Sequence, residues 1–327
     1  MVGEILLVQR IQCYWWQVLS HLSSHRFNIA LIFFGILLRV KLYLANNSFR
    51  LDEAWLALDI STRTFSKIIL AKIFSYDLPT PPPGFVLIEK AFITLFGNNE
   101  YAFRLFPLLC GIASLFLFYE LLKKSVDRFT VSLALFFFVC SDILIYNSSQ
   151  LKQYSSGVFV VLLLYHLMLR VDSLKKMTIS HSMGYGLAGA IAITMLYPSV
   201  FILAGIGVTQ ISSAFYKKEW EKFRGLLFSA FLWFTVFIII YAVYCYYMFH
   251  NQIMQQGTNP YFVWSFENAQ FLFGWFTQVF LVRTVGLVPF WIGLYFILAG
   301  AILLMRRNKK TFSHWLYLYF SFFWLLH

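Results

Sequence analysis

The chain has 327 residues, of which 60% are hydrophobic and 20% aromatic, while only 12% carry a charge. A soluble domain of this length would need more charged surface than that, so the composition predicts a membrane protein. The formal net charge of +12 would suggest nucleic acid as the partner of a soluble protein. No basic stripe lies away from the ends of the apolar runs, so we expect no nucleic-acid binding.

Apolar runs of about 20 residues recur along the chain, and a helix of that length crosses the hydrocarbon of a bilayer. The runs predict an all-α polytopic membrane protein with about nine transmembrane helices. Their approximate limits are 27–46, 101–122, 129–146, 153–170, 178–197, 198–216, 225–247, 280–304 and 312–327. The strict alternation of apolar and polar residues that a transmembrane β-barrel requires is not seen in the sequence.

The basic residues predict how the spans are oriented in the membrane. Pairs such as Lys123–Lys124, Lys175–Lys176 and Lys217–Lys218 fall between spans on one side of the predicted membrane. Because lysine and arginine are enriched in short cytoplasmic loops, that side and the N-terminus are predicted to be cytoplasmic. Residues 46–100 and 248–279 then form two long loops on the outer side.

The first outer loop brings acidic residues to the membrane surface. Asp52 and Glu53 follow the first span in the stretch DEAWLALDI, and further amphipathic stretches flank the rigid segment DLPTPPPG, which contains Asp77. Amphipathic helices lie in the membrane interface, so we expect two or three of them over the outer mouth of the bundle. The acids have two interpretations: a solvated first helical turn favoured by the helix dipole, or a carboxylate that acts on a substrate.

Basic and polar residues are predicted to approach the same mouth. Gln150 and Lys152 lie in the short outer turn between the third and fourth spans, and Arg104 and Arg283 lie near outer ends of spans. A lysine that departs from the charge rule suits a phosphate, although a side chain that only reaches the lipid headgroups fits as well. With Asp77, these are the candidate substrate-binding residues. Histidine spacing typical of zinc is missing, so no metal ligand is predicted, and a divalent metal cofactor stays open.

Three stretches resemble one family when taken together: SFRLDEAWLALDI, PPPGFVLIEKAFITLFGNNEYAFRLFPLLCGIASLFLFYELLKK and QLKQYSSGVF. They are similar to the integral-membrane glycosyltransferases that use polyprenyl-phosphate sugars, in the bacterial branch of the protein O-mannosyltransferase and aminoarabinose-transferase superfamily. The resemblance implies a GT-C-like fold in a single membrane-embedded domain over residues 1–327, with the best-matched core at 27–220. It also implies a bacterial inner-membrane protein whose site faces the periplasm.

The activity implied by the resemblance is an inverting transfer of a sugar from a polyprenyl-phosphate donor to a lipid, glycan or protein acceptor. Asp52 matches the family's catalytic acid, which acts as a base toward the acceptor, and Glu53 matches its second acid. Lys152 matches a basic or polar motif of the family and is the first candidate for binding the donor phosphate. Arg104 and Gln150 are further candidates.

Two other functions fit part of the pattern. A transporter or lipid flippase would place charges at mid-membrane and often shows inverted repeats, whereas these acids are predicted at one outer rim, which favours chemistry on one side. An inactive remnant of the transferase is the second alternative, because relatives carry further spans and the last apolar run stops at His327. We therefore expect the chain to be truncated at its C-terminus.

Overall fold

The computed structural model describes residues 25–70 and 81–245, and every regular element within those ranges is helical. In chain order the helices are α1 (His25–Ala45), α2 (Leu51–Thr62), α3 (Phe65–Leu70), α4 (Pro83–Phe96), α5 (Glu100–Ser125), α6 (Arg128–Cys140), α7 (Asp142–Asn147), α8 (Tyr154–Ser173), α9 (Ile179–Met195), α10 (Ser199–Tyr216) and α11 (Trp220–Ile240). A short π-helix, Tyr241–Cys245, follows α11. The predicted all-α class is confirmed.

Five helical runs in the described part of the chain are long and apolar enough to cross a membrane. They are α1, α5, α8, α10 and the run Trp220–Tyr244, which contains α11. The predicted count of about nine spans is therefore not confirmed. The predicted spans 280–304 and 312–327, and the outer loop 248–279, lie outside the described residues.

Two of the predicted spans form shorter helices. The run 129–146 is divided at Ser141, whose extended backbone separates α6 from α7. The carboxylate of Asp142 accepts the backbone N–H of Ile143 at 2.7 Å. Short polar side chains compete in this way with the hydrogen bonds of a helix, which explains why an apolar run did not continue as one helix. The run 178–197 yields α9, which has 17 residues.

Helices α1 and α5 run antiparallel along one seam. The hydroxyl of Tyr43 donates to the carbonyl of Tyr101 at 3.0 Å near one end of this seam. The ring of His25 and the hydroxyl of Tyr119 lie 2.6 Å apart near the other end. Helix α8 also packs on α5, where the hydroxyl of Ser155 donates to the carbonyl of Pro107 at 2.8 Å.

Small residues allow α9 and α11 to pack closely. A Cβ placed at Gly186 would lie 2.5 Å from the Cδ1 of Leu232, and one at Gly189 would overlap the indole of Trp233. The indole N–H of Trp233 donates to the carbonyl of Tyr185 at 3.4 Å, so the ring is held at this position. The predicted hairpin of the fifth and sixth runs also forms, with Pro198 directly before α10.

The alternating helix directions gather the connecting segments at two ends. One end, called the site end below, holds α2 and the turn of residues 148–153. In the predicted first outer loop, the described residues 46–70 and 81–100 form the helices α2, α3 and α4, none of which is long enough to span a membrane. At the opposite end the ammonium group of Lys222 donates to the carbonyls of Asp172 and Leu174 at 3.1 and 2.8 Å.

The chain divides into two compact units. The first comprises Met1–Ala71 and Pro81–Ile240, and it contains α1 to α11. The second comprises Lys72–Thr80 and Tyr241–His327, of which the structure describes only Tyr241–Cys245. The single domain over residues 1–327 stays a prediction.

Gly189→Ala is expected to lower the free energy of unfolding by about 1–3 kcal/mol, because the added methyl group overlaps the Trp233 ring. Gly184→Ala on the same helix is the matched control, since nothing lies within 4 Å of its added Cβ. The control should leave stability equal or higher, as alanine favours a helix over glycine. Thermal unfolding of both variants in detergent measures the difference, and equal losses would contradict the close packing of α9 on α11.

Candidate active site

The carboxylate of Glu53 is the centre of the site end. Glu53 lies in the first turn of α2, and it is fully buried, with 0% of its surface exposed. One oxygen, Oε2, accepts the backbone N–H of Arg50 at 3.1 Å and so satisfies a donor at the helix start. The other, Oε1, accepts the backbone N–H of Leu151 at 2.7 Å. One side chain therefore joins two segments that are 98 residues apart in sequence.

The side chain of Gln150 adds a further bond to the same carboxylate. With its amide nitrogen turned toward the acid, Gln150 donates to Glu53 Oε2 at 3.0 Å and to Oε1 at 3.3 Å. A buried carboxylate is costly unless charge-assisted hydrogen bonds compensate for lost water. The three donors around Glu53 provide that compensation, and they hold the 148–153 turn against the start of α2.

Asp52 and Lys152 form an ion pair beside this junction. The ammonium nitrogen of Lys152 lies 2.9 Å from Asp52 Oδ2, and the two side chains are 23% and 43% exposed, respectively. In the sequence these residues lie in separate predicted loops, and separate roles were expected for them. The structure brings them together, because Gln150 and Leu151, which precede Lys152, both donate hydrogen bonds to Glu53, which follows Asp52.

The environment of Asp52 favours its charged form. Partial burial acts to raise the pKa of Asp52, but the hydrogen bond and the positive charge of Lys152 outweigh it, so the pKa lies below its ordinary value. Its other oxygen, Oδ1, accepts the backbone N–H of Glu53 at 3.1 Å. Asp52 is thus an ionised, partly exposed carboxylate at neutral pH, with a cation in direct contact.

Arg104 holds the segment that leads into α2. It is 2% exposed, and its Nη1 donates to the side-chain oxygen of Asn46 at 3.1 Å. Its guanidinium carbon lies 4.8 Å from the centre of the Phe49 ring, a cation–π distance. The Nε and Nη2 atoms of Arg104 have no partner among the described residues. Arg104 therefore contacts residues 46–49, immediately before Asp52.

Further charged groups of the first loop serve α2 itself. Asp59 is buried and pairs with Arg63 at 3.1 Å, one turn further along the helix. The ammonium group of Lys90 on α4 donates to the carbonyls of Ile60 and Ser61, both at 3.0 Å. These contacts satisfy the last carbonyls of α2 and give it a fixed position. The candidates Asp77 and Arg283 lie outside the described residues and stay predictions.

Two further ionisable groups are buried, and the burial of Glu89 was not predicted from the sequence. Both oxygens of Glu89 on α4 are fully buried without a hydrogen-bond partner among the described residues, and burial raises its pKa well above the ordinary value. Arg39 on α1 is 1% exposed and lines a small cavity with Asn147, Tyr154 and Ser155, which flank the 148–153 turn. The acid inside the apolar run GFVLIEKAFITLF was the available signal for Glu89.

Replacing Glu53 by alanine is expected to lower the free energy of unfolding by about 1–3 kcal/mol, because it leaves the buried N–H of Leu151 without an acceptor. Glu53→Gln retains an oxygen acceptor and should recover part of the loss. Glu120→Ala is the control, since it breaks only the exposed pair with Lys123 and should cost about 0–1 kcal/mol. Chemical unfolding in detergent provides the comparison, and a loss no larger than the control's would show that Glu53 does not join the two segments.

Within the described residues, no group of three or more histidine, cysteine, aspartate or glutamate side chains is arranged to hold a metal ion.

The comparison with known proteins adds an independent result. The model of the dolichyl-phosphate-mannose-protein mannosyltransferase family matches residues 80–255, which is more than half of the 327-residue chain. No curated protein and no solved structure matches the chain. The matched range contains Gln150, Lys152 and Arg104, but it begins after Asp52 and Glu53.

The family match agrees with the expected membrane glycosyltransferase of GT-C type, while it does not test the bacterial assignment. The helices that the structure describes agree with a membrane protein of several spans. This chain belongs to the dolichyl-phosphate-mannose-protein mannosyltransferase family.

Proposed function

We propose that this protein transfers a sugar, with inversion, from a polyprenyl-phosphate donor to an acceptor at the site end of the bundle. The observation that carries the proposal is the contact of Asp52 with Lys152, 2.9 Å apart and partly exposed. This contact places a base and a cation side by side, and a transfer of this kind needs both groups. Family membership favours this reaction over transport of a lipid or solute.

Asp52 serves as the base in this reaction. Its carboxylate is ionised at neutral pH, and its side chain is exposed enough to contact a hydroxyl or amine of an acceptor. The proton passes from the acceptor to the carboxylate as the acceptor atom forms its bond to the anomeric carbon. The bond from that carbon to the phosphate oxygen breaks on the opposite face of the sugar, which inverts the configuration.

Lys152 stabilises the departing phosphate, which is the leaving group. The phosphate departs with the electron pair of the broken bond, so it gains negative charge as the reaction proceeds. A lysine ammonium is a compact charge with three donors, and a cation at this position stabilises the developing charge. The product lipid phosphate is a stable anion, so the reaction needs no strong general acid.

Three residues position the reacting groups in this proposal: Glu53, Gln150 and Arg104. The buried carboxylate of Glu53 holds the turn that carries Lys152, and Gln150 supplements that bond. Arg104 holds residues 46–49 just before Asp52. Catalytic groups must be held close to their productive geometry, so loss of these contacts would reduce transfer without removing a reacting group.

The proposed setting is a bilayer with the site on the outer, periplasmic face and the N-terminus in the cytoplasm. The lysine pairs that favour this orientation lie at the opposite end of the described helices from Asp52, in the last turn of α5 and in the connections after α8 and α10. The family is described by a dolichyl-phosphate mannose donor. A polyprenyl-phosphate mannose is therefore the first donor to test.

Asp52→Asn is expected to abolish transfer, because an amide cannot take the acceptor's proton, while expression and folding stay unchanged. The assay uses the full chain in its membrane and follows radiolabel from polyprenyl-phosphate mannose into lipid, glycan and protein fractions. Asp142→Asn is the matched control, since Asp142 is an exposed acid that begins α7 and contacts no proposed substrate group.

Full activity in a folded Asp52→Asn variant would contradict the assignment of the base. Label that appears across the bilayer, still attached to the original lipid, would instead support a flippase. A wild-type chain that binds the donor without transfer would support the inactive remnant.

A further inference from the structure

The ion pair of Asp52 and Lys152 conflicts with the separate roles proposed for them. A base that is paired with a cation holds its proton weakly, and a cation that is paired with a carboxylate has less attraction left for a phosphate. Yet the structure shows the two groups 2.9 Å apart. Both can act on substrates only when this contact has opened.

The surroundings allow Lys152 to change partner without a change of fold. Its backbone is fixed, because the preceding N–H of Leu151 and the side chain of Gln150 bind the buried Glu53. Its side chain is a flexible four-carbon stem, and its only ion-pair partner among the described residues is Asp52. The pair is partly exposed, so the contact is weak and a competing anion can reach it.

No other cation replaces Lys152 at Asp52 within the described residues. The charged groups that face Asp52 are Lys152 from the 148–153 turn and Arg50 and Glu53 from its own segment. The guanidinium of Arg50 lies at the exposed surface, where its Nη1 donates to the hydroxyl of Tyr146 at 3.3 Å. Glu53 is held by two backbone partners and by the side chain of Gln150, so Lys152 is the charged group with the largest effect on the charge state of Asp52.

We propose that the phosphate of the lipid donor takes Lys152 away from Asp52, so that the base becomes available only after the donor has bound. This exchange rests on the proposed function and adds an order to it, with the donor before the acceptor. The phosphodiester of the donor presents a full negative charge on two free oxygens, so it competes with the partly exposed carboxylate of Asp52 for the ammonium group of Lys152.

The exchange adjusts both groups to the reaction. While Lys152 is bound to Asp52, it lowers the pKa of the carboxyl. When Lys152 moves to the phosphate, Asp52 regains proton affinity and becomes a stronger base toward the acceptor. The proton then moves from the acceptor to Asp52 as the acceptor atom forms its bond to the anomeric carbon. The bond from that carbon to the phosphate oxygen breaks, and the phosphate leaves with the electron pair beside Lys152. Return of Lys152 after product release promotes loss of the proton to water.

Binding of a polyprenyl monophosphate to the full chain in detergent micelles tests the exchange without any acceptor. Asp52→Asn frees Lys152 in advance, so the variant should bind this lipid more tightly than wild type, by roughly two- to fivefold for an exposed pair. Asp52→Ala should show the same gain. Lys152→Met should weaken binding, and the double variant Asp52→Asn/Lys152→Met should bind no better than Lys152→Met alone.

The double variant separates exchange from simple repulsion between the carboxylate and the lipid phosphate. Repulsion predicts that Asp52→Asn improves binding even when Lys152 is absent, and that outcome would overturn the exchange. Unchanged or weaker binding by Asp52→Asn and Asp52→Ala would overturn it as well. Lys176→Met is the matched control, because it removes a lysine from an exposed pair with Glu221 at 3.1 Å and should leave binding unchanged.

The same measurements distinguish this inference from the function on which it rests. Absence of saturable binding to wild type would contradict the proposed lipid-phosphate donor, and the exchange with it. A second outcome would reject the exchange alone and retain the donor site. In that outcome the lipid binds saturably and more weakly to Lys152→Met, while Asp52→Asn still improves binding when Lys152 is absent.

Discussion

The buried carboxylate of Glu53 is the interaction on which the site end depends. It accepts hydrogen bonds from the start of α2 and from the 148–153 turn, so it joins two connections that lie 98 residues apart in sequence. Its desolvation makes the junction specific, because either segment in another position would leave a buried charge unpaired. Asp52 and Lys152 meet as a consequence, since each is the chain neighbour of a group in this junction.

The seam of α1 and α5 below the junction carries buried positive charge. Arg104 and Arg39 are 2% and 1% exposed, and neither forms an ion pair with a described carboxylate. Arg104 binds Asn46 and Phe49, while Arg39 donates to the carbonyl of Gly35 at 3.1 Å. Such groups are costly inside a membrane. Arg104 contacts the segment that precedes α2, and Arg39 lines the cavity beside the 148–153 turn. These positions indicate that the two buried arginines support the site end.

Sequence patterns predicted the elements that depend on local chemistry. Apolar length located α1, α5, α8, α10 and α11, and Pro198 correctly marked the turn before α10. The division at Ser141 was missed, because the two polar residues Ser141 and Asp142 change a long apolar run little. The partners of Glu53 could not be predicted, since its bond to Leu151 crosses 98 residues and uses a backbone N–H, which no side-chain pattern reveals. Glu89 was overlooked because its burial depends on the packing of α4 on α5.

Carbodiimide crosslinking of the native chain in its membrane tests most directly that the junction brings the two charged groups together. The reagent joins a carboxylate to an amine only when they touch, so mass spectrometry should find an amide between Asp52 and Lys152, which lie 2.9 Å apart. The exposed pair of Lys176 and Glu221, at 3.1 Å, serves as the internal standard. A linked Lys176–Glu221 peptide without any linked Asp52–Lys152 peptide would contradict the arrangement described for the site.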